Sequence, residues 1–264
     1  MFKEASNAIK RHAPGIHKFI KSVYYRSGVP AFKFLNGRLF RVAPRLLVAS
    51  PTEPHVLQWI RELLRPGDTF FDVGAHQGWM SLVACHQVGA KGRVVAFEPS
   101  PPLVECLEYN KKANRLHQME IVSKAVCDSN DRMVPLYVVD QGDSFLNSLV
   151  DHRTTAVPIS ETAAIEAETI SLDGFCEATK LCPDVVKIDI EGAELLALQG
   201  SRGLLEKCRT TFVVAVHPCW LPQGQEAAEI FDLFRIHGYK VSASQIVLHE
   251  GIEFGDYVFV PGGS

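Results

Sequence analysis

Hydrophobic and polar positions follow two alternating patterns along this chain from residue 53 onward. Short, mostly apolar runs bounded by Gly, Pro or polar residues are typical of buried strands, whereas apolar residues three or four positions apart are typical of helices. The runs predict strands at residues 69–73, 93–97, 120–126, 134–139, 184–190, 211–216, 239–244 and 256–260. The periodic stretches predict helices at residues 53–64, 80–88, 103–113, 193–205 and 225–237. This alternation predicts an α/β fold, a doubly wound and mostly parallel sheet with helices on both faces.

Residues 141–168 show neither periodicity. A segment of that length without regular structure is often a lid or a binding loop, so we expect residues 141–168 to help shape the pocket of an acceptor molecule. No residue type in this segment identifies that acceptor.

The N-terminal segment differs from the rest in charge. Residues 1–26 hold six Lys and Arg against Glu4, a local charge of +5, and since the whole chain carries −3, the remainder carries −8. An acidic body argues against nucleic acid as a partner. From Ile16 to Tyr24 the apolar residues have helical spacing, which predicts an amphipathic helix.

We expect this helix to dock on its own domain or across a homodimer, with peripheral contact to a membrane surface as the minor alternative. The chain then divides into a basic helical extension, residues 1–50, and a main domain, residues 51–264. A chain of 264 residues with 47% hydrophobic residues can bury one full-sized core.

The cysteines and the apolar runs indicate the cellular compartment in which the protein is expected. The seven cysteines are odd in number and form no C-x-x-C pair, which predicts buried thiols in a reducing compartment. No apolar stretch reaches the roughly twenty residues that a membrane span needs, and the N-terminus lacks the apolar core of a signal peptide. We therefore expect a cytoplasmic protein.

The first candidate site is the turn after the strand at residues 69–73. Asp72-Val73-Gly74-Ala75-His76-Gln77-Gly78 is a glycine-spaced turn, and Glu98 closes the next strand twenty residues after Gly78. In an open α/β sheet such a turn faces the ligand, and an acid that ends the second strand can accept both hydroxyls of a ribose. The G-x-x-x-G spacing lacks the tight G-x-G-x-x-G turn that holds a diphosphate. The turn and its Asp72 therefore favour S-adenosylmethionine, which has a ribose and cationic ends but no phosphate, over a dinucleotide.

The second candidate site is the strand that ends in Lys187-Ile188-Asp189-Ile190-Glu191-Gly192-Ala193-Glu194. Lys187, Asp189 and Glu191 share one parity in a strand that should be apolar on both faces. Burying ions is costly unless they are paired or serve a ligand, so a structural Lys187–Asp189 ion pair is one interpretation and a ligand site is the other. We favour the site, with Glu194 complementing the N-terminus of the next helix.

His217 ends the following strand and should emerge on the same rim as Asp189. A histidine there can take the proton of a hydroxyl, although it could also be a strand-end residue that bonds to a loop. The remaining histidines and cysteines have no zinc-binding spacing, so we expect no metal. No G-x-S-x-G indicates a hydrolase nucleophile.

Taken together these motifs resemble the FkbM family of S-adenosylmethionine-dependent methyltransferases. The resemblance covers residues 50–260 and is carried by the two motifs above, by Phe97-Glu98-Pro99, by Ala125-Val126-Cys127-Asp128 and by Thr169-Ile170-Ser171-Leu172-Asp173. It implies a Rossmann-like class I fold of seven strands in the order 3-2-1-4-5-7-6, the last antiparallel. It also implies O-methylation of a small-molecule or glycan hydroxyl, on a sugar or a natural product.

The resemblance also assigns residues to roles. Its cofactor contacts fall on Asp72, Val73, Gly74, Ala75, Gly78, Glu98 and Pro99, with Ala125 and Asp128 flanking the adenine and Asp189 reaching the donor. Its transfer site falls on Asp189 and Glu191. To these the residue pattern itself adds His217 as the proton acceptor and Lys187, which either orients Asp189 or stabilises an acceptor oxyanion.

Two departures stand out: His76 and Gln77 replace the usual Asn and apolar residue, and Ala215 replaces an acid that often lies two residues before His217. The alternatives are a nicotinamide-dependent oxidoreductase and a non-catalytic protein that binds S-adenosylmethionine.

Overall fold

The structure is a computed structural model that describes residues 31–35, 37–43, 53–139, 147–155, 162–249 and 252–262. The chain divides into two compact units, residues 1–50 and 51–264. In the first unit the described residues form an antiparallel hairpin of β1 (Ala31–Leu35) and β2 (Arg38–Val42), with Phe34 opposite Leu39. The amphipathic helix predicted at residues 16–24 lies outside the described residues.

The second unit is built from alternating strands and helices. Its strands are β3 (Thr69–Val73), β4 (Arg93–Phe97), β5 (Met119–Val122), β6 (Ala125–Val126), β7 (Met133–Val139), β8 (Thr162–Ile170), β9 (Val185–Ile188), β10 (Thr211–Val216), β11 (Tyr239–His249) and β12 (Ile252–Pro261). Its helices are α1 (Pro54–Leu63), α2 (Trp79–Val88), α3 (Pro101–Ala113), α4 (Leu172–Thr179), α5 (Glu194–Gln199), α6 (Arg202–Lys207) and α7 (Ala227–Ile236).

The main sheet has seven strands in the order β11-β12-β10-β9-β3-β4-β5. Strands β5, β4, β3, β9 and β10 run parallel, whereas β12 is antiparallel to both β10 and β11. Numbered from β3 as the first strand, this is the order 3-2-1-4-5-7-6 with an antiparallel last strand, so the predicted fold is confirmed. The central neighbours β3 and β9 carry the two predicted site motifs at their carboxyl ends, which brings those motifs together.

A second sheet of three strands, in the order β6-β8-β7, corrects the sequence prediction for residues 141–168. Residues 162–168 belong to β8 and pair antiparallel with the whole of β7. The signal was weak because three of the nine residues of β8 are small alanines, so no alternation of large apolar and polar residues is visible. The predicted strand at residues 120–126 is likewise split, since Val122 ends β5 and Ala125 begins β6.

Other element boundaries also differ from the predictions. The predicted helix at residues 193–205 is two helices separated by Gly200 and Ser201, and a Cβ on Gly200 would lie 2.2 Å from the Cys127 carbonyl oxygen. Helix α4 was not predicted, although Ser171 caps it by accepting a hydrogen bond from the Gly174 amide at 3.0 Å.

The two faces of the main sheet differ in character. One face is a hydrophobic core in which the rings of Phe71, Phe97 and Phe175 meet edge to face, with centroids 5.1–5.5 Å apart. Burying each such ring contributes about 2–3 kcal/mol. The other face carries Asp72 and Lys187, paired in register across β3 and β9, so the polar site is built into the sheet itself.

The cysteines do not all match the prediction. Cys182 and Cys208 form a disulfide, which corrects the expectation that all seven are thiols, and Cys182 is exposed rather than buried. Each lies three residues before one of two neighbouring parallel strands, β9 and β10, so the topology places them together. The cysteines outside this disulfide are Cys85, Cys106, Cys127, Cys176 and Cys219. Among the described residues, no helix has the length and apolar character needed to cross a membrane.

Candidate active site

The turn from β3 into α2 is the first part of the site. Gly74 has a φ of +76°, a conformation that favours glycine, and a Cβ there would lie 2.0 Å from the Asp189 carbonyl oxygen. The amides of Gly74 and Ala75 donate to the Phe97 carbonyl at 3.1 and 3.0 Å. The turn is therefore fixed between the ends of β4 and β9, and Gly74 is required by contacts within the protein itself.

Glu98 lies beside this turn and is buried. Its carboxylate accepts hydrogen bonds from the amides of His76 at 2.8 Å and Ser100 at 3.0 Å, one on each oxygen. Burial raises the pKa of Glu98 to about 7, and the two amides only partly offset that rise. Each oxygen keeps a further lone pair, which can accept a hydroxyl of a ribose.

Lys187 connects the two motifs. Its Nζ lies 3.1 Å from Asp189 Oδ2, 3.2 Å from the Gly74 carbonyl and 3.7 Å from Asp72 Oδ1. Burial alone would lower the pKa of Lys187, but the carboxylates of Asp189 and Asp72 outweigh it and raise that pKa above its usual value. Asp72 is itself buried and accepts a hydrogen bond from Ser81 Oγ at 2.5 Å.

The loop between β9 and α5 presents Asp189 and Glu191. Glu191 has a φ of +56°, and the next residue, Gly192, has a φ of +98°. The Glu191 carbonyl accepts a hydrogen bond from Ser148 Oγ at 2.7 Å and lies 2.7 Å from His152 Nε2. These two side chains come from residues 147–155, so that segment holds the loop in its strained conformation.

His217 faces this loop from the end of β10. Its Nδ1 lies 2.9 Å from Glu194 Oε1, and its Nε2 lies 3.4 Å from Glu191 Oε2 and 3.9 Å from Asp189 Oδ1. Glu194 is fully buried and also accepts hydrogen bonds from the Gly192 amide at 3.0 and 3.1 Å. The expectation that Glu194 only complements a helix N-terminus is therefore incomplete, because Glu194 orients His217.

The charged groups around this loop shift one another's pKa values. Burial lowers the pKa of a histidine, but Glu191 and Glu194 outweigh it and raise the pKa of His217 to about 10. Burial raises the pKa of Glu191 to about 8. Burial also acts to raise the pKa of Asp189, yet Lys187 and His217 together lower it. His217 is therefore protonated at neutral pH, as Glu191 is for the most part, beside an ionised Asp189.

Asp189, Glu191 and His217 could also hold a metal ion. One ligand atom from each lies within 4.8 Å of the others, although Lys187 already pairs with Asp189. The sequence prediction of no metal is not tested by this geometry.

The region that carries the site matches a known protein family. The family model of the methyltransferase FkbM domain matches residues 72–241, from the first motif of the site to the start of β11. The chain belongs to the FkbM methyltransferase family. The predicted family is thereby confirmed, and with it a fold that uses S-adenosylmethionine.

This FkbM methyltransferase is also similar to curated proteins. It is 26% identical over 108 residues to the ribosomal protein L11 methyltransferase of Cupriavidus necator, a stretch that covers 41% of this chain and 35% of that protein. The chain thus spans about a third of the length of that curated relative.

Solved structures show the same fold. TYW2 of P. horikoshii in complex with MeSAdo has a TM-score of 0.52 and 13% identity, covering 89% of this chain and 72% of that one. Trm5b from Pyrococcus abyssi has a TM-score of 0.50 and 10% identity, covering 90% and 57%.

The residues of the site fit S-adenosylmethionine. The donor is cationic at its sulfonium and its ammonium, and near Lys187 and His217 the site holds the carboxylates of Asp72, Glu98, Asp189, Glu191 and Glu194. Two buried carboxylate oxygens, Asp72 Oδ1 and Glu191 Oε2, have no hydrogen-bond partner within the described part of the chain. Each of them faces a cationic side chain of the protein, Lys187 at 3.7 Å and His217 at 3.4 Å, and the excess of carboxylates over cationic groups favours a cationic ligand and disfavours the diphosphate of a dinucleotide.

Not every predicted contact is brought to this site. Val73 and Ala75 are buried in the turn, and Gly78 begins α2 with a φ of +88° and packs against Leu107. Ala125 lies in β6, and the Asp128 carboxylate pairs with Arg132. The described contacts do not join Ala125 or Asp128 to Glu98, and for Pro99 they give no role, so these three remain predictions.

Several residues around the site were missed from sequence. They are Ser81, Ser100, Ser148, His152, Glu194 as a histidine partner, and Trp220. The ring of Trp220 stacks on those of His152 and His217, with centroids 5.2 and 5.4 Å away. Ser148 and His152 lie in the segment without periodicity, where no pattern indicates which side chains point inward. Trp220 could have been found from the sequence, because a tryptophan three residues after His217 is close enough to contact it.

Proposed function

We propose that this protein is an S-adenosylmethionine-dependent O-methyltransferase acting on a hydroxyl of a sugar, glycan or natural product. One observation carries the proposal: Glu194 engages Nδ1 of His217, so that Nε2 points towards Asp189 and Glu191 at the carboxyl edge of β9. A buried, oriented histidine at this edge suits proton removal from a hydroxyl.

On the donor side, we propose that Glu98 accepts the ribose hydroxyls and that Asp72 faces the cationic end. Bound S-adenosylmethionine supplies a methyl group that is already electrophilic. The protein therefore has to align the acceptor oxygen with that carbon and to accept one proton.

In the transfer step, the acceptor oxygen forms a bond to the methyl carbon as the carbon–sulfur bond breaks. The hydroxyl proton goes to Nε2 of His217, and the products are a methyl ether and S-adenosylhomocysteine. Glu194 holds the imidazole, and the resulting imidazolium is stabilised by Asp189 and Glu191.

Of the two roles considered for Lys187, the geometry favours orientation of Asp189. Its ammonium lies within hydrogen-bond distance of Asp189 and the Gly74 carbonyl, and the Asp72 carboxylate is 3.7 Å away. These contacts hold the ammonium beside Asp189.

The acidic main domain supports a small or glycan acceptor over nucleic acid, whose phosphates it would repel. We also propose that the protein acts in the cytoplasm, where buried thiols such as Cys85 and Cys127 stay reduced, although the Cys182–Cys208 disulfide is a feature typical of oxidising compartments.

The test uses purified protein and methyl-labelled S-adenosylmethionine with a panel of hydroxylated acceptors. We expect label in a methyl ether, with equimolar S-adenosylhomocysteine and no loss of rate on adding a chelator. Glu98→Ala should abolish donor binding, whereas Asp189→Asn should keep binding and lower kcat by about 100-fold or more. His237→Gln, a histidine beside Glu206 3.7 Å away, is the control that should change neither. Equal loss of donor binding in both site variants would refute this division of roles.

A further inference from the structure

We propose that Asp256 and His55 form an acceptor-binding pair, which holds a second hydroxyl of the acceptor while Asp189 and His217 handle the hydroxyl that is methylated. The inference rests on the proposed function and adds two residues that the sequence motifs do not include. It predicts that the acceptor carries at least two hydroxyls near each other.

Strand register places Asp256 in the same row as the transfer site. Lys187 pairs with Val213 across β9 and β10, so continuing that register by two residues sets Asp189 beside Ala215. Ala215 in turn pairs with Asp256 across β10 and β12. Directly paired residues project on the same face of a sheet, so Asp189, Ala215 and Asp256 form one row.

The small side chain of Ala215 leaves space between the two carboxylates of this row. Neighbouring strands lie about 4.8 Å apart, so the backbones at Asp189 and Asp256 are roughly 10 Å apart, with only a methyl group between them. An acid at position 215 would fill that interval, and Ala215 instead leaves one carboxylate on each side. A separation on this scale suits two hydroxyls of one acceptor.

The pair itself is built for hydrogen bonding. His55 Nε2 lies 2.6 Å from Asp256 Oδ2, and within the described residues Asp256 Oδ1 accepts no hydrogen bond. The side chains of His55 and Asp256 are 22% and 16% exposed, so a ligand can reach them. A carboxylate with one oxygen fixed and the other open is a hydroxyl acceptor.

Phe254 connects the pair to His217. It lies two residues before Asp256 on β12, so both side chains are on one face of the strand. Its ring centroid is 5.8 Å from that of His217 and 5.3 Å from that of Trp220. An aromatic surface thus runs from the proton acceptor towards Asp256, as suits the apolar face of a ring-shaped acceptor.

The competing interpretation is that the pair only fastens α1 to the sheet. His55 lies in the first turn of α1, which packs against α2. A fastening role predicts that removing the pair lowers stability without changing selectivity among acceptors. A binding role predicts a change in selectivity even where the protein stays folded.

The experiment measures binding of methyl hexopyranosides (gluco, galacto and rhamno) and of tetrahydropyran-2-methanol, which has one hydroxyl on a similar ring, to protein saturated with S-adenosylhomocysteine. We expect at least one hexopyranoside to bind about tenfold or more tightly than the single alcohol. Asp256→Asn and His55→Gln should abolish this preference, and Ala215→Leu should abolish hexopyranoside binding. All three should keep their affinity for S-adenosylhomocysteine.

His237→Gln, which removes a histidine near another acid, is the matched control and should keep the preference. Thermal unfolding of every variant separates loss of fold from loss of selectivity. No preference in the unaltered protein, or a preference that persists in folded Asp256→Asn, would overturn the pair as an acceptor site. Failure to bind S-adenosylhomocysteine would instead refute the proposed function.

Discussion

His217 shows how a single residue acquires its chemistry from three neighbours. Sequence reasoning placed it on the rim with Asp189, and the structure brings both there, together with Glu191. What the sequence could not show is the third partner, because Glu194 lies in a different element and reaches His217 through a turn in left-handed conformation. The first residue of α5 thus supplies an acid partner for His217, where Ala215 supplies none.

The raised pKa of His217 predicts the pH dependence of transfer. A base must be unprotonated, and His217 and Glu191, with pKa values of about 10 and about 8, are both mostly protonated at neutral pH. We expect kcat/KM to rise with pH above 7, with an apparent pKa between these two values. Glu191→Gln removes the larger of the carboxylate influences on His217, so its profile should rise at lower pH. A rate–pH profile that is flat from about pH 6 to 10 in both proteins would contradict His217 as the base.

Glu98 predicts a pH dependence of donor binding. Its pKa of about 7 means that the carboxylate ionises as the pH rises through neutrality. An ionised carboxylate accepts ribose hydroxyls more strongly than the neutral acid, by about 1 kcal/mol or roughly fivefold in affinity. We expect 5′-methylthioadenosine, which has the ribose but no amino acid, to bind more tightly across that range. Titration calorimetry with Glu98→Gln should show weaker binding that does not vary with pH.

At the scale of elements, the loops after β3 and β9 depend on each other. The polar parity of Lys187, Asp189 and Glu191 was visible in the sequence because a central parallel strand is otherwise apolar. The reason for Gly74 was not visible, since it comes from the Asp189 carbonyl on a neighbouring strand that is distant in sequence. Segments 147–155 and 162–170 were missed for a different reason: their small and polar residues show neither helical nor strand periodicity.

Gly74→Ala tests this dependence. A Cβ at a φ of +76° is strained and would lie 2.0 Å from backbone oxygen, so β3 and β9 would have to separate. We expect a loss of about 3 kcal/mol or more in the free energy of unfolding, together with loss of donor binding. The matched control is Gly224→Ala, with a φ of +88° but nothing within 4 Å, which should cost about 1 kcal/mol. Equal losses for the two variants in chemical denaturation would show that strand contact is not the cause.

At the scale of the whole molecule, alternation of strand and helix patterns was sufficient for the fold class, and the family resemblance supplied the strand order. The resulting topology sets the ends of β3, β4, β9 and β10 along one edge, and that edge is where Glu98, Lys187, Asp189 and His217 lie. The details that escaped prediction, such as the Cys182–Cys208 disulfide and the His55–Asp256 pair, join residues far apart in the chain. Such pairs follow from register and packing, which single-sequence patterns do not encode.

The central claim is that this edge of the sheet binds a cationic sulfur nucleoside and not a diphosphate. Titration calorimetry of the purified protein with S-adenosylmethionine and with NADH tests it directly. We expect saturable binding of S-adenosylmethionine that Glu98→Ala abolishes, and no heat from NADH. Tight binding of NADH with no response to S-adenosylmethionine would contradict the account.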